Sequence, residues 1–475
     1  MKWLIDKIGR IKFLREILLL LLLLVVQNNL LYKRDFDQNE AYITSDGKGY
    51  YEYLPAIFIY KDLKFSYIDT LETDYYKIEH NKMIFSYTEK GDRVDKYFIG
   101  TAVMQSPFFL FSHFHTKNFN HNYKADGYSM PYQIGIKCAA LFYMFLGLVC
   151  LRLLLQTYNT NGWWILLIQI TTLFATPLLN YSIYDVAFSH VYSFFLITWF
   201  LYIVRKYFLT DNPKLIVLSV IILGLIIIVR PINLLILLFT PLLVESLKEY
   251  FNKVKTIFCS HLRHFLIAII CFCFIIGIQL TISYFQTGNP FNYSYGNEGF
   301  DFFNPKISDF LFSYHKGFFL WTPWWFFVFI LGIICWLLKK AYYKVISFLI
   351  AFFVLIYVLS SWHAWSYGAS IGQRPMIDFY GAFILVIIPI VTDIRKFWKI
   401  LILLTFPVFL VVMQIQTYQF QRAIILWDGM NKEAYWEVFL ETNEKYSLSS
   451  TLFINSYILY NCIFNLNKLV SLNFI

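Results

Sequence analysis

Ile17-Leu18-Leu19-Leu20-Leu21-Leu22-Leu23-Leu24-Val25-Val26 is the stretch from which the fold is read. It offers no side-chain hydrogen bond over ten residues, and Lys2, Lys7, Arg10, Lys12 and Arg15 precede it. That order, positive charge and then an apolar run, is shared by signal sequences and first membrane helices. The next residues are Gln27-Asn28-Asn29, with no small-x-small cleavage site. The segment is therefore expected to stay in the chain as an uncleaved membrane helix over 1–31, with its N-terminus inside.

Working outward from this helix, apolar runs of about 20 residues recur, each long enough to span a bilayer. The reading places spans near 13–31, 132–155, 162–180, 188–204, 214–229, 231–245, 264–286, 317–338, 343–360, 376–392 and 397–417. Their inner ends then carry Arg152, Arg205-Lys206, Lys248 to Arg263, Lys339-Lys340 and Arg395-Lys396. Every short basic cluster falls on one side, as the positive-inside rule requires, which supports an all-α polytopic membrane protein of about eleven spans. The chain divides into the first helix, a long outer loop over 32–131 with amphipathic or interfacial pieces, a helix bundle over 132–417, and a tail over 418–475. Two parts stay open. Residues 214–245, interrupted by Arg230-Pro231, are a tight helix pair or one broken helix, and 452–466 is a borderline twelfth span.

Composition agrees, with 58% hydrophobic and 15% charged residues. The formal charge of +10 sits in the inner clusters, not in a basic stripe, so nucleic acid is not an expected partner. Of the seven cysteines, Cys138, Cys150, Cys271, Cys273 and Cys335 lie in apolar runs and no CxxC pair occurs, so neither a disulfide framework nor a metal site is indicated. His113, His115 and His121 lack the spacing of a helix-borne metal pair. The aromatic content of 21% points to interfacial belts and a lined cavity.

The polar and aromatic oddities all fall on the outer side of this topology. Asp46-Gly47-Lys48-Gly49-Tyr50-Tyr51 places one carboxylate among aromatics, and the two glycines are expected to let the backbone turn tightly and present it. Partial desolvation raises a carboxyl's pKa and makes a better general base, while an ordinary capping aspartate is the plainer reading. Arg230 and Arg374 suit a phosphate or carboxylate, with pairing to Asp185 or Asp378 as the respective structural alternatives. Trp362, His363 and Trp365 form either a stacking platform for a sugar ring or part of a Trp belt. His190 is a second acid–base or ligand-holding group, or a satisfied structural histidine.

With these residues in place, the chain resembles the GT-C superfamily of integral-membrane glycosyltransferases, in particular bacterial members that use polyprenyl-phosphate sugars. Asp46 matches the acidic residue of the first outer loop, Tyr50-Tyr51 the aromatics that often follow it, and Ser189-His190, Arg230-Pro231 and the Trp362 to Arg374 run look like recurring motifs. Many members carry a second acid beside the first, and here Gly47 stands there, which leaves Asp46 alone and puts a metal-binding role in doubt. The resemblance implies transfer of a sugar from a lipid-phosphate donor to a lipid or glycan acceptor of the cell envelope. In that reaction Asp46 is the base, Arg374 and Arg230 bind the donor phosphate, and Tyr50, Tyr51, His190, Trp362, His363 and Trp365 hold substrate. No cofactor is implied, and a divalent ion is left open. It further implies a bacterial inner-membrane location with the site facing outward, in contact with membrane lipids. The alternatives are a transporter, a lipid-linked oligosaccharide flippase or a polymerase, the first of which favours internal repeats that this sequence lacks.

Overall fold

The computed structural model describes residues 13–29, 42–71, 83–88, 91–392 and 396–443. Lys2, Lys7, Arg10, Lys12, Arg395 and the 452–466 stretch lie outside the described residues. The chain is almost wholly helical, and among the described residues the one sheet is a short antiparallel hairpin, β1 (Phe85–Tyr87) with β2 (Arg93–Asp95), pairing Ser86 with Val94.

The helices follow the apolar runs. In order they are α1 (Leu14–Asn29), α2 (Asp46–Pro55), α3 (Gly100–Phe119), α4 (Met130–Gln156), α5 (Gly162–Phe174) and α6 (His190–Thr210). They continue as α7 (Lys214–Val229), α8 (Leu247–Cys259), α9 (Leu262–Thr287), α10 (Pro323–Leu338), α11 (Tyr342–Ser360) and α12 (Lys396–Gln421). Among the described residues six helical stretches are long and apolar enough to cross a membrane, and seven if a bent pair is taken as one. The chain is a membrane-spanning protein of the all-α class. Exposed side chains such as Ile270, Phe274, Phe353 and Leu404 cover the outside of the bundle with apolar surface, as lipid demands.

Several expected spans take a different form. Residues 162–180, 214–229 and 317–338 give apolar helices of 10–17 residues instead of full-length ones. Proline accounts for two of these breaks, since Pro177 and Pro323 each remove a backbone donor and stop the preceding helix. The expected span at 231–245 is a 3-10 helix over Pro231–Leu243, followed by α8 at a bend of 116°. Pro231 and Pro241 bracket it, and at the 3-10 rise of about 2 Å per residue it reaches roughly 26 Å. The 376–392 span is likewise a broken run that starts as a 3-10 turn over Arg374–Phe379. These breaks free backbone groups; the Arg374–Phe379 turn is covered by neighbouring helices, whereas the Pro231–Leu243 run buries one side and exposes Leu234, Leu237 and Leu238.

α6 is the hub, packing on α4, on α7 and on the Arg374–Phe379 turn. α1 is fastened to it indirectly: Glu16, 1% exposed, accepts from Arg152 Nε at 2.7 Å and Gln169 Nε2 at 2.9 Å, so the first helix brings a buried charge that α4 and α5 satisfy. On the other side, α3 crosses α7 at Gly100, where a Cβ would lie 2.3 Å from the backbone of Ile228 and Val229. Only glycine permits that approach, and it sits one residue before Arg230. Gly100→Ala is expected to lower stability by about 1–3 kcal/mol through overpacking, read as an earlier thermal unfolding of the detergent-solubilised protein. An unchanged midpoint shows that α3 and α7 are not in contact there.

Candidate functional site

α2 begins at Asp46 after Ser45, which takes a left-handed φ of 48° and accepts from the Lys48 amide at 3.0 Å. Asp46 and Tyr50 are four residues apart and share a helix face. Both open into a cavity of about 670 Å³. The glycines do not make the turn that the sequence suggests. They lie within the helix, where a Cβ on Gly47 would meet Ala187 at 2.9 Å and one on Gly49 would meet the Tyr97 ring at 2.2 Å. Their use is space, letting α2 press against the segment before α6 and against Tyr97.

The carboxylate of Asp46 is paired with the Arg374 guanidinium. Arg374 opens the 3-10 turn that follows Gly372, whose φ of 60° and fit against Trp321 need a glycine. The guanidinium lies over the Phe188 ring, 5.1 Å from its centre, and is 13% exposed. Burial pushes the Asp46 carboxyl up, but Arg374 and the Tyr97 hydroxyl more than offset this and hold it below the ordinary carboxylate range. A base with a raised pKa is therefore not what this pairing gives; the resting Asp46 is a counter-ion.

A second charge pair lies alongside. Asp378, fully buried, accepts from Arg230 Nη1 at 3.0 Å and Asn233 Nδ2 at 3.0 Å on one oxygen, and lies 2.7 Å from His190 Nδ1 on the other. Arg230 ends α7 in an extended conformation (φ −153°) ahead of Pro231, so the helix break itself turns the guanidinium inward. Asn233 also donates to Ser193 Oγ at 3.0 Å, tying the break to α6. Arg230 is thus paired with Asp378 and not with Asp185, which receives Asn180 Nδ2 at 2.7 Å. Arg374 in turn pairs with Asp46, not with Asp378.

The cavity's remaining wall comes from two loops bonded to each other. Phe300 and Trp362 form an isolated antiparallel bridge, and the His363 amide donates to Gly299 O at 2.9 Å. Tyr295 sets its ring edge-on to Trp362 at 5.3 Å, and Tyr97 packs on Tyr50 at 4.4 Å. A Lys96–Glu298 pair and the bond from Ser294 Oγ to Lys96 O at 2.8 Å hold the 292–300 loop to the hairpin.

The structure thus brings Asp46, Tyr50, His190, Arg230, Trp362, His363 and Arg374 to one cavity. Tyr51 and Trp365 lie elsewhere. Tyr51 is fully buried with its hydroxyl donating to Gly127 O. Trp365 packs edge-on against His315 at 5.5 Å. His113 bonds the Tyr132 hydroxyl at 2.7 Å and stacks on Phe109. Among the described residues no group of three or more His, Cys, Asp or Glu side chains is placed to hold a metal ion.

Sequence reasoning placed the Gly288–Gly296 loop, with Tyr295, on the outer side, but did not find Tyr97, Lys96 and Glu298, which carry no local signal and reach the site only through loop packing. It also passed over Lys316, whose buried Nζ donates to Trp427 O at 2.6 Å and to Ser370 O, fastening the loop that leads to Arg374. Burial draws that amine down to about 7. Comparison with family models, curated proteins and solved structures gives no match.

The Asp46–Arg374 pair predicts a pH signature. A carboxyl held lower in the folded state contributes stability that is fully present above its unfolded value, near 4, and is lost as pH falls through the folded value. Asp46→Asn is expected to destabilise the protein by about 1–3 kcal/mol at pH 7, and the gap from wild type is expected to close below about pH 4. A gap that stays constant from pH 7 to pH 3 contradicts the pairing.

Proposed function

We propose that this chain is a membrane glycosyltransferase that moves a sugar from a polyprenyl-phosphate donor to an envelope acceptor, with Asp46 as the acceptor's base. What supports this reading is the convergence of Asp46, the guanidiniums of Arg230 and Arg374, His190 and aromatic rings on a single cavity, from segments as far apart as 328 residues. The reading carries with it an arrangement of about eleven spans with the N-terminus inside, the cavity at the outer face of a bacterial inner membrane, and no requirement for a nucleotide-binding motif. The relation to GT-C enzymes belongs to the same proposal and rests on the Asp46 and Tyr50 positions.

The resting pair fixes the order of events. A donor phosphate entering the cavity competes for the Arg374 guanidinium, which binds phosphate as readily as carboxylate. Asp46, relieved of its cation inside a partly desolvated pocket, then becomes more basic. It takes the proton of the acceptor hydroxyl. The hydroxyl oxygen bonds to the anomeric carbon, the bond from that carbon to the phosphate oxygen breaks, and its electron pair leaves with the lipid phosphate, held by Arg374. The configuration at the sugar inverts in this single displacement.

Transport of a lipid-linked substrate is the second reading, favoured by one observation: both broken helical runs carry buried charges, at Arg230 and at Asp378, as transporter sites do. Transfer assays separate the two. With a polyprenyl-phosphate sugar and envelope acceptor lipids, Asp46→Asn is expected to lose about 100-fold or more of the transfer rate, the range for removing a general base. Undiminished transfer by the variant removes Asp46 from the mechanism, and substrate crossing of sealed vesicles with no transfer favours the transporter.

A further inference from the structure

His190 enters the cavity already committed on one side. Its Nδ1 lies 2.7 Å from the fully buried Asp378 Oδ1, and with that nitrogen engaged the ring nitrogen that His190 has left for the cavity it lines is Nε2. Asp378 Oδ2 receives Arg230 and Asn233, each at 3.0 Å. A carboxyl 3.0 Å from a guanidinium nitrogen is a carboxylate, which accepts on both oxygens and donates on neither. The hydrogen in the His190–Asp378 bond therefore sits on Nδ1, and Arg230 Nη1, 3.4 Å from that nitrogen, makes its hydrogen bond to Asp378 Oδ2 at 3.0 Å instead. Arg230 and Asp378 already cancel in charge, and a neutral imidazole leaves the cluster balanced. In a neutral ring with its hydrogen on Nδ1, Nε2 has a lone pair and nothing to donate.

We infer that His190 is a specificity-determining residue: an acceptor-only nitrogen, locked in that form by Asp378, which takes a hydrogen bond from a ligand hydroxyl. The ring cannot turn over to offer the other edge. Tyr181 stands edge-on to it at 4.8 Å and Phe188 stacks near-parallel to it at 6.2 Å, and turning the ring would break the bond to Asp378. Among the described residues Nε2 has no protein partner, and a ligand group placed there must be a donor to satisfy it. The cavity thus has two chemically distinct ends, an anion end at Arg374 and a hydroxyl-reading end at His190. A ligand that fits both carries a phosphate and a hydroxyl-rich ring on one skeleton. Simple phosphate fills only the first end, and an aromatic or fully alkylated group leaves Nε2 unpaired, which a buried site penalises. This inference rests on the sugar-transfer reading and adds to it which side chain selects the ring and by what bond.

The test uses the purified, detergent-solubilised full chain, wild type and His190→Phe, with inorganic phosphate and the 1-phosphates of glucose, galactose and mannose as probes. Wild type is expected to bind at least one sugar phosphate about tenfold more tightly than phosphate, the worth of roughly one satisfied hydrogen bond. His190→Phe is expected to lose that preference and keep its phosphate affinity. If the preference survives in the variant, the assignment to His190 is overturned while the sugar reading stands. If wild type prefers none of the sugar phosphates over phosphate, the sugar reading itself fails. Nitrogen NMR of wild type labelled at histidine decides the tautomer independently of whether the variant folds. Hydrogen on Nδ1 of His190 supports the inference, and hydrogen on Nε2 overturns it.

Discussion

A charge taken out of water must find an opposite charge, and two such pairings organise this molecule. Asp46 meets Arg374 across 328 residues of sequence, and Asp378 meets Arg230 across 148. Removing one member of a fully buried pair leaves its partner stranded, at roughly 3–5 kcal/mol in soluble proteins, a cost that applies to Asp378 and is smaller at the 28% exposed Asp46. That penalty makes the loop after α1, the end of α7 and the turn after α11 converge on the head of α6. His190 joins the two pairs sterically. It bonds Asp378 from the first residue of α6, while Phe188, two residues earlier, carries Arg374 on its ring.

How much of this is legible in the sequence depends on how far apart the cooperating residues lie. The class was legible throughout, because a run such as Ile17 to Val26 has one stable environment. The residues Asp46, His190, Arg230 and Arg374 stood out because ionisable groups next to apolar runs are costly unless they do something. How they pair did not stand out: Arg374 has Asp378 four residues on and Arg230 has Asp185 before it in the chain, and both pairings are replaced by more distant ones. Spacing along the chain ranks such choices by proximity, whereas the fold ranks them by which helix break points where.

The breaks themselves were half visible. Pro231 and Pro323 announce that a helix cannot continue, but not whether the chain turns back or goes on in another conformation. At Pro231 it goes on as a 3-10 helix, a form whose longer rise lets 13 residues reach about as far as 17 would in an α-helix. The glycines of the Asp46 motif misled in the opposite way. Gly47 and Gly49 read as a turn, but what matters is the missing Cβ, since Ala187 and the Tyr97 ring occupy the space one would need. Tyr97 could not have been located from sequence, and it is the residue that both packs on Tyr50 and helps hold the Asp46 carboxyl below its ordinary range.

The electrostatics of the cavity narrow what can bind there. Asp46 with Arg374, Asp378 with Arg230 and Glu298 with Lys96 are matched one to one, so the site has no standing excess of positive charge. An anion that enters must exchange one ion pair for another and gains little from charge alone, because the carboxylate it displaces is left behind in a poorly solvated place. Binding energy must then come from elsewhere on the ligand: ring faces against Trp362, Tyr295 and Tyr50, a hydroxyl at His190, and apolar surface beyond the mouth. A small anion cannot supply these contacts. On the proposed function, an amphiphile with a phosphate between a sugar and a hydrocarbon chain supplies them, and the same exchange of ion pairs that admits it would free Asp46 to act as a base.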